Sequence, residues 1–202
     1  MKTNKKKGLG RGLDALLGAN NNPNQDDSGS QKEQQNLSIN LLQAGKYQPR
    51  RIMADEPLRE LADSIRERGV VQPLLVRSIG SGRYEIIAGE RRFRAATLAG
   101  LKEVPVRILE ADDQAAAAIA LIENMQREDL NPLEESRGLS RLIQEFGFTH
   151  EQAAKAVGKS RSAITNLLRL SQLSSAVQAM LSAGDLDMGH ARALLSLPGA
   201  SQ

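Results

Sequence analysis

Thr149-His150-Glu151-Gln152-Ala153-Ala154-Lys155-Ala156-Val157-Gly158-Lys159-Ser160-Arg161-Ser162-Ala163-Ile164-Thr165-Asn166-Leu167-Leu168-Arg169 reads as two short helices meeting at a glycine. Thr149 and Gln152 have the spacing of a capping box, which opens a helix expected over Gln152–Val157. Gly158 ends it where a tight turn needs positive φ, and Ser160 caps the next helix. Ala154 falls at the small position where two such helices cross, and Ile164 and Leu167 fall on the buried face of the second. This is the pattern of a helix-turn-helix, at about residues 149–170. The second helix then presents Ser160, Arg161, Ser162, Thr165, Asn166 and Arg169, side chains that hydrogen-bond base edges or phosphates. No Asp or Glu lies between Ala153 and Gln178 to repel a polyanion. An ordinary helical hairpin with a solvated polar face fits the same pattern, so DNA reading is an expectation at this point. Gly158-Lys159-Ser160 imitates the end of a phosphate-binding P-loop, but that motif needs a glycine where Ala153 stands and follows a strand rather than a helix.

Working outward, helical spacing continues on both sides: Asp112 to about Gln126, Pro132–Phe146, and shorter units as far as Leu197. Upstream of Asp112 the pattern changes. Pro57, at a helix N1 position, is followed by Leu58, Leu61, Ala62 and Ile65 at helical spacing and then by Gly69. Val70–Ser78 and Tyr84–Ala88 are apolar, β-prone runs around Gly80-Ser81-Gly82, which predicts a hairpin, and Val104–Leu109 supplies another strand. Pro73 and Pro105 point to edge strands or strand beginnings. The fold class expected is α+β, with a small mixed α/β domain over residues 37–125 and an all-α DNA-binding domain over residues 126–202. The polar, aliphatic-poor segment 19–36 reads as a disordered linker, leaving residues 1–18 as a tethered peptide. The chain stops at Ser201-Gln202 without an evident cap, as a fragment of something longer would.

Composition excludes several function classes. The chain has 202 residues, 40% of them hydrophobic, which is enough for a core. With no cysteine and two histidines, His150 and His190, thiolate metal sites, thiol nucleophiles and histidine-rich metal centres are ruled out. No apolar run approaches a membrane span or a signal peptide, so no membrane partner and a cytoplasmic, nucleoid-associated location are expected. The sequence pI is about 9.3. Much of that basicity sits in residues 1–18, where Lys2, Lys5, Lys6, Lys7 and Arg11 face only Asp14, and the rest of the chain is close to neutral. Net charge therefore says little about the body.

Two constellations carry further chemistry. Gly89-Glu90-Arg91-Arg92-Phe93-Arg94 puts arginines in the first turn of a helix that directly follows a strand, where unpaired backbone N–H groups and the helix dipole favour an anion. Guanidinium forks suit phosphate. Pairing of these arginines with Glu85, Glu90 or Glu103 is the plainer alternative. Glu123-Asn124-Met125-Gln126-Arg127 ends an aliphatic helix in acid, amide and base, which would suit an Mg²⁺-phosphate site, or be no more than a helix terminus.

Taken in order, these segments resemble the ParB family of chromosome and plasmid partition proteins. The resemblance rests on Gly8-Leu9-Gly10-Arg11-Gly12-Leu13 with Ala15-Leu16-Leu17-Gly18, Tyr47-Gln48-Pro49-Arg50, Gly69-Val70-Val71-Gln72-Pro73-Leu74, the arginine turn, Glu123-Asn124-Met125-Gln126-Arg127, and the helix-turn-helix followed by Met188-Gly189-His190-Ala191-Arg192. It implies a ParB/sulfiredoxin-like N-terminal domain that binds CTP with Mg²⁺, hydrolyses the CTP slowly, and closes a homodimeric clamp on DNA after a parS palindrome is bound. Carried over, Gly89, Glu90, Arg91 and Arg92 would cradle the triphosphate, Gln48, Arg50 and Gln72 would close the pocket, and Arg127 would lie close by. Glu123 and Asn124 would serve the metal, with Glu123 in hydrolysis. Lys7, Arg11, Leu13, Leu16 and Leu17 would engage and stimulate the partner ATPase, ParA. The family's C-terminal dimerisation domain is not found in this sequence. A plain repressor, a nucleoid-occlusion relative, and a nuclease or sulfiredoxin-like enzyme are the alternatives. The sulfiredoxin-like enzyme lacks its cysteine, the helix-turn-helix disfavours both enzymes, the N-terminal peptide argues against the nucleoid-occlusion relative, and the repressor predicts DNA binding indifferent to nucleotide.

Overall fold

A computed structural model describes residues 34–46, 55–127 and 130–197. It divides into two compact units, Met1–Ala120 and Leu121–Gln202. The peptide at residues 1–18 lies outside the described residues, as do Gln48 and Arg50.

Among the described residues of the first unit, a mixed sheet is built from β1 (Gln35–Ser38), β2 (Leu42–Gln43), β3 (Leu74–Gly80), β4 (Arg83–Ala88) and β5 (Glu103–Leu109), in the order β1-β5-β3-β4-β2. The expected hairpin is β3–β4, antiparallel about Gly80-Ser81-Gly82. β5 runs parallel to β3 and antiparallel to β1, and β2 runs parallel to β4. β5 is therefore interior, contrary to the edge reading of Pro105. Pro105 faces Asn36 of β1 but precedes the first β3 pair, Leu74 with Val106, so its missing N–H falls where that ladder has not begun. Pro73 stands immediately before β3.

Helix α1 (Asp55–Arg68) begins two residues earlier than its proline indicated. Pro57 sits in its first turn, where backbone N–H groups have no intrahelical acceptor. Gly69 N–H closes the helix on the Ile65 carbonyl at 2.8 Å. Alternation along the strands covers both sheet faces. Leu74, Val76, Ile86, Val104 and Val106 pack with Ala62 and Ile65 of α1 and with Ala95 and Ala96 of α2 (Glu90–Leu98). On the other face Ile87 and Leu75 meet Ala116 and Ile119 of α3 (Asp113–Met125). The arginine turn is thus the start of a helix clamped on a buried sheet.

The second unit is helical: the end of α3, α4 (Pro132–Gln144), α5 (His150–Val157), α6 (Arg161–Arg169), α7 (Ser175–Ala183) and α8 (Met188–Leu194). Asn131 and Glu134 form a capping box at the head of α4. Leu139, Leu142, Ile164, Leu167 and Leu170 are buried where α4 meets α6 and the turn after it, each contributing on the order of 1.5–3 kcal/mol. None of the described helices is long and apolar enough to cross a membrane.

Candidate functional site

Helix α5 opens on a reciprocal capping box: Gln152 N–H donates to Thr149 Oγ1 at 3.1 Å, and Thr149 N–H donates to Gln152 Oε1 at 2.9 Å. The helix starts at His150, not Gln152, because a capping box places its Gln three residues past the cap. Gly158 takes φ 68°, and Lys159 N–H reaches back to the Ala154 carbonyl at 3.0 Å. Ser160 Oγ accepts from Ala163 N–H at 3.1 Å and lies 3.0 Å from Ser162 Oγ. These bonds fix the entry angle of α6. Ile164 and Leu167 point into the core, while Arg161, Ser162, Thr165 and Arg169 are exposed and Asn166 is half-buried. The six proposed readers therefore differ in freedom. Ser160 is committed to capping, Ser162 Oγ is hydrogen-bonded to Ser160 Oγ and Thr165 Oγ1 donates to the Arg161 carbonyl at 3.0 Å, leaving Arg161, Asn166 and Arg169 to supply a fork, an amide and a charge. Sequence spacing missed Lys159 Nζ, which pairs with Glu135 of α4 at 3.0 Å. An acid 24 residues away gives no local signal.

At the arginine turn, Gly89 takes φ 103°. A Cβ there would lie 2.7 Å from Leu74 Cδ2 and 3.4 Å from Arg92 Cζ, so only glycine brings the strand this close to the helix start. The three arginines separate. Arg94 Nε donates to Glu90 Oε1 at 2.8 Å, the local pairing that spacing allowed. Arg92 Nη1 donates to the carbonyls of Gln72 and Pro73 at 2.7 and 2.8 Å, tying the approach to β3 onto α2 and placing Gln72 beside the turn. Arg91 is exposed. Glu90 is 4% exposed, and its Oε2 is buried without a hydrogen-bond partner. An acid so placed supports the turn from behind, by orienting Arg94.

On the sheet face that α3 covers lies a network the sequence reading did not anticipate. Arg77 of β3 faces Glu85 of β4, and both are 6% exposed. Arg77 Nε donates to Glu85 Oε2 at 2.7 Å, and Nη2 meets Asp113 Oδ1 in the first turn of α3 at 2.6 Å. Burial opposes the Arg77 charge, but hydrogen bonds to Asp113 and Glu85 outweigh it and raise the guanidinium above its ordinary value. Glu85 Oε1 also accepts Lys46 N–H at 2.9 Å, anchoring the segment that leads towards Gln48 and Arg50.

Glu123 and Asn124 occupy the last turn of α3 in the second unit, exposed and half-buried respectively. Met125 is buried, and Arg127 is half-buried just beyond the helix. A carboxylate beside an amide is the hard oxygen set that Mg²⁺ accepts when phosphates supply its other ligands. Gly89, the exposed Arg91 and the α2 N-terminus fit a phosphate in the same chemical sense. Among the described residues no group of three or more His, Asp or Glu side chains could hold a metal unaided.

The model of the ParB N-terminal domain matches residues 23–125, and that of the ParB HTH domain matches residues 128–202. A probable chromosome-partitioning protein ParB of Pseudomonas putida is 59% identical over 196 residues, covering 96% of this chain and 68% of its own length. Its counterpart in Xylella fastidiosa is 53% identical over 198 residues, covering 96% of this chain and 64% of that protein. The chain thus spans about two thirds of the length of these relatives. A crystal structure of C-terminally truncated ParB from Caulobacter crescentus complexed to the centromeric parS site matches with a TM-score of 0.72 and 44% identity, over 81% of this chain and 86% of that one. Two domain models in tandem, and relatives more than half identical along nearly the whole sequence, place the chain in the ParB family of chromosome-partitioning proteins.

Proposed function

We propose that this protein reads a parS palindrome with α6 and uses CTP as the switch of a DNA clamp. The observation that carries DNA reading is the doubly capped α5–Gly158–α6 turn, which buries Ile164 and Leu167 and holds Arg161 and Asn166 on the outer side. The likeness to the parS complex of the Caulobacter protein supports the choice of DNA. Arg161→Ala should lose roughly 1–3 kcal/mol of preference for parS over scrambled duplex, with little change on scrambled DNA. Mobility shifts at fixed salt on the two duplexes test this, and an unchanged preference would move the reading helix elsewhere.

CTP binding rests on Gly89, Arg91, Arg92 and Gln72 of the first unit, with Gln48 and Arg50 carried over from the family pattern. Glu123 and Asn124 are the candidates for Mg²⁺, and Arg127 completes the set. When bound, the metal would neutralise phosphate charge. Glu123 would serve slow hydrolysis to CDP and phosphate. Clamp closure would join two copies of the N-terminal unit. Lys7 and Arg11 beside Leu13, Leu16 and Leu17 give the N-terminal peptide the charge and apolar stripe to dock on ParA. Deleting residues 1–18 should abolish stimulation of ParA ATPase and leave parS affinity intact; a truncated protein that stimulates normally sinks this assignment. The runner-up is a nucleotide-indifferent repressor, favoured by one observation: Arg92 and Arg94 already have partners in the protein.

A further inference from the structure

We propose that Gln126 is the positioning residue that transmits nucleotide occupancy at Glu123–Arg127 to the helix-turn-helix, an inference that rests on the functional reading above. The C-terminal carbonyls of α5 need partners from outside the helix. Those of Ala154 and Lys155 accept from Gly158 and Lys159 N–H groups in the turn. The Ala156 carbonyl accepts instead from Gln126 Nε2 at 2.8 Å, a side chain 30 residues earlier. Gln126 N–H donates to the Ile122 and Glu123 carbonyls at 3.0 and 3.2 Å, so this cap projects from the last turn of α3.

The neighbouring residue is also locked into the DNA-reading unit. Met125 is 5% exposed and lies against α4 at Gly138, where a Cβ would come within 2.7 Å of its sulfur. The five-residue segment thus divides its work: Glu123 is exposed and Asn124 half-buried, while Met125 packs on α4 and Gln126, itself exposed, reaches the end of α5 through its side-chain amide. Glu123 and Asn124 would hold the metal when nucleotide is bound, and a shift of the turn that carries them would move the group that caps α5. That cap lies two residues before Gly158, whose turn sets the angle of α6. Hydrogen bonds weaken steeply past about 3.2 Å, so a displacement below 1 Å is enough to register. No charge or long-range field is required. The coupling is one donor exchanged between two helix ends, reciprocal in the two ligands.

The test uses the full chain with Gln126→Met, which keeps the reach and removes the donor, and Gln126→Lys, which keeps a donor of similar reach. Three quantities are measured for each: CTP affinity without DNA, parS affinity without nucleotide, and the ratio of parS affinities with and without CTP. In Gln126→Met the two single affinities should stay within about twofold of wild type, while the ratio moves at least threefold towards one; Gln126→Lys should recover most of it. A wild-type ratio in Gln126→Met overturns the proposal. So does a loss of parS affinity without nucleotide that accounts for the whole effect, since that is an ordinary structural cap. Failure of the underlying reading appears separately, in the wild-type protein, as absent CTP binding or a ratio of one.

Discussion

Arg77→Met is expected to destabilise the first unit by about 3–5 kcal/mol, because it leaves Glu85 charged, buried and without its principal partner. The pair lies on the sheet face that α3 covers, between β3 and β4, with Asp113 closing it from the first turn of that helix. Removing the guanidinium strands a carboxylate whose other hydrogen bond among the described residues is from Lys46 N–H. The double variant Arg77→Met/Glu85→Gln should recover more than half of the loss. The amide carbonyl introduced at position 85 still accepts from Lys46, and no net charge remains buried. Hydrogen exchange of the β3 and β4 amides, read against those of α4 and α6, separates this loss from any change in the second unit. A single variant within 1 kcal/mol of wild type would show the pair to be a surface contact in energetic terms.

How much of this was legible in advance follows from the range of each interaction. Both capping boxes, the Gly158 turn and the amphipathic spacing of α6 are written within a few residues, and the DNA-reading helices emerge from them almost to their ends. The β3–β4 hairpin is local too. β1 and β2 are not: four and two residues long, they exist only through partners that are distant in sequence, Glu103–Val106 for β1 and Tyr84–Glu85 for β2. Of the site, spacing located the arginine turn but treated its arginines alike. Their division of labour depends on carbonyls at Gln72 and Pro73, some twenty residues away. The Arg77–Glu85 pair was within reach, since counting back from Gly80-Ser81-Gly82 sets the two residues opposite each other. Lys159–Glu135 and Gln126–Ala156 were not, because nothing in a linear sequence tells which helix end receives a side chain from another helix.

The sharpest division between a nucleotide switch and a plain DNA-binding protein lies in comparing Arg91→Ala with Arg92→Ala. If both side chains hold a triphosphate, each variant removes a charge-assisted interaction worth on the order of 1.5–3 kcal/mol, cutting CTP affinity tenfold or more. Their stabilities should differ. Arg91 is exposed, so its loss should leave the unfolding midpoint near wild type. Arg92 bridges two backbone carbonyls ahead of β3, so its loss should also lower the midpoint and loosen Gln72. Arg92→Lys should restore charge but not the placement of Gln72, because an ammonium lacks the planar fork. Neither variant touches Ala154, Ile164 or Leu167, so parS recognition without nucleotide should survive while CTP-dependent closure of the dimer fails. Glu123→Ala should bind CTP and stop releasing phosphate if its role lies in turnover rather than in holding the ligand. Calorimetry with CTP, ATP, GTP and UTP, phosphate release with and without a parS duplex, and cross-linking of the closed dimer read these outcomes separately. Wild-type CTP affinity in both arginine variants would leave Arg92 as a structural tie and Arg91 as a solvated charge, and the nucleotide-independent repressor would then be the better account of the same helix-turn-helix.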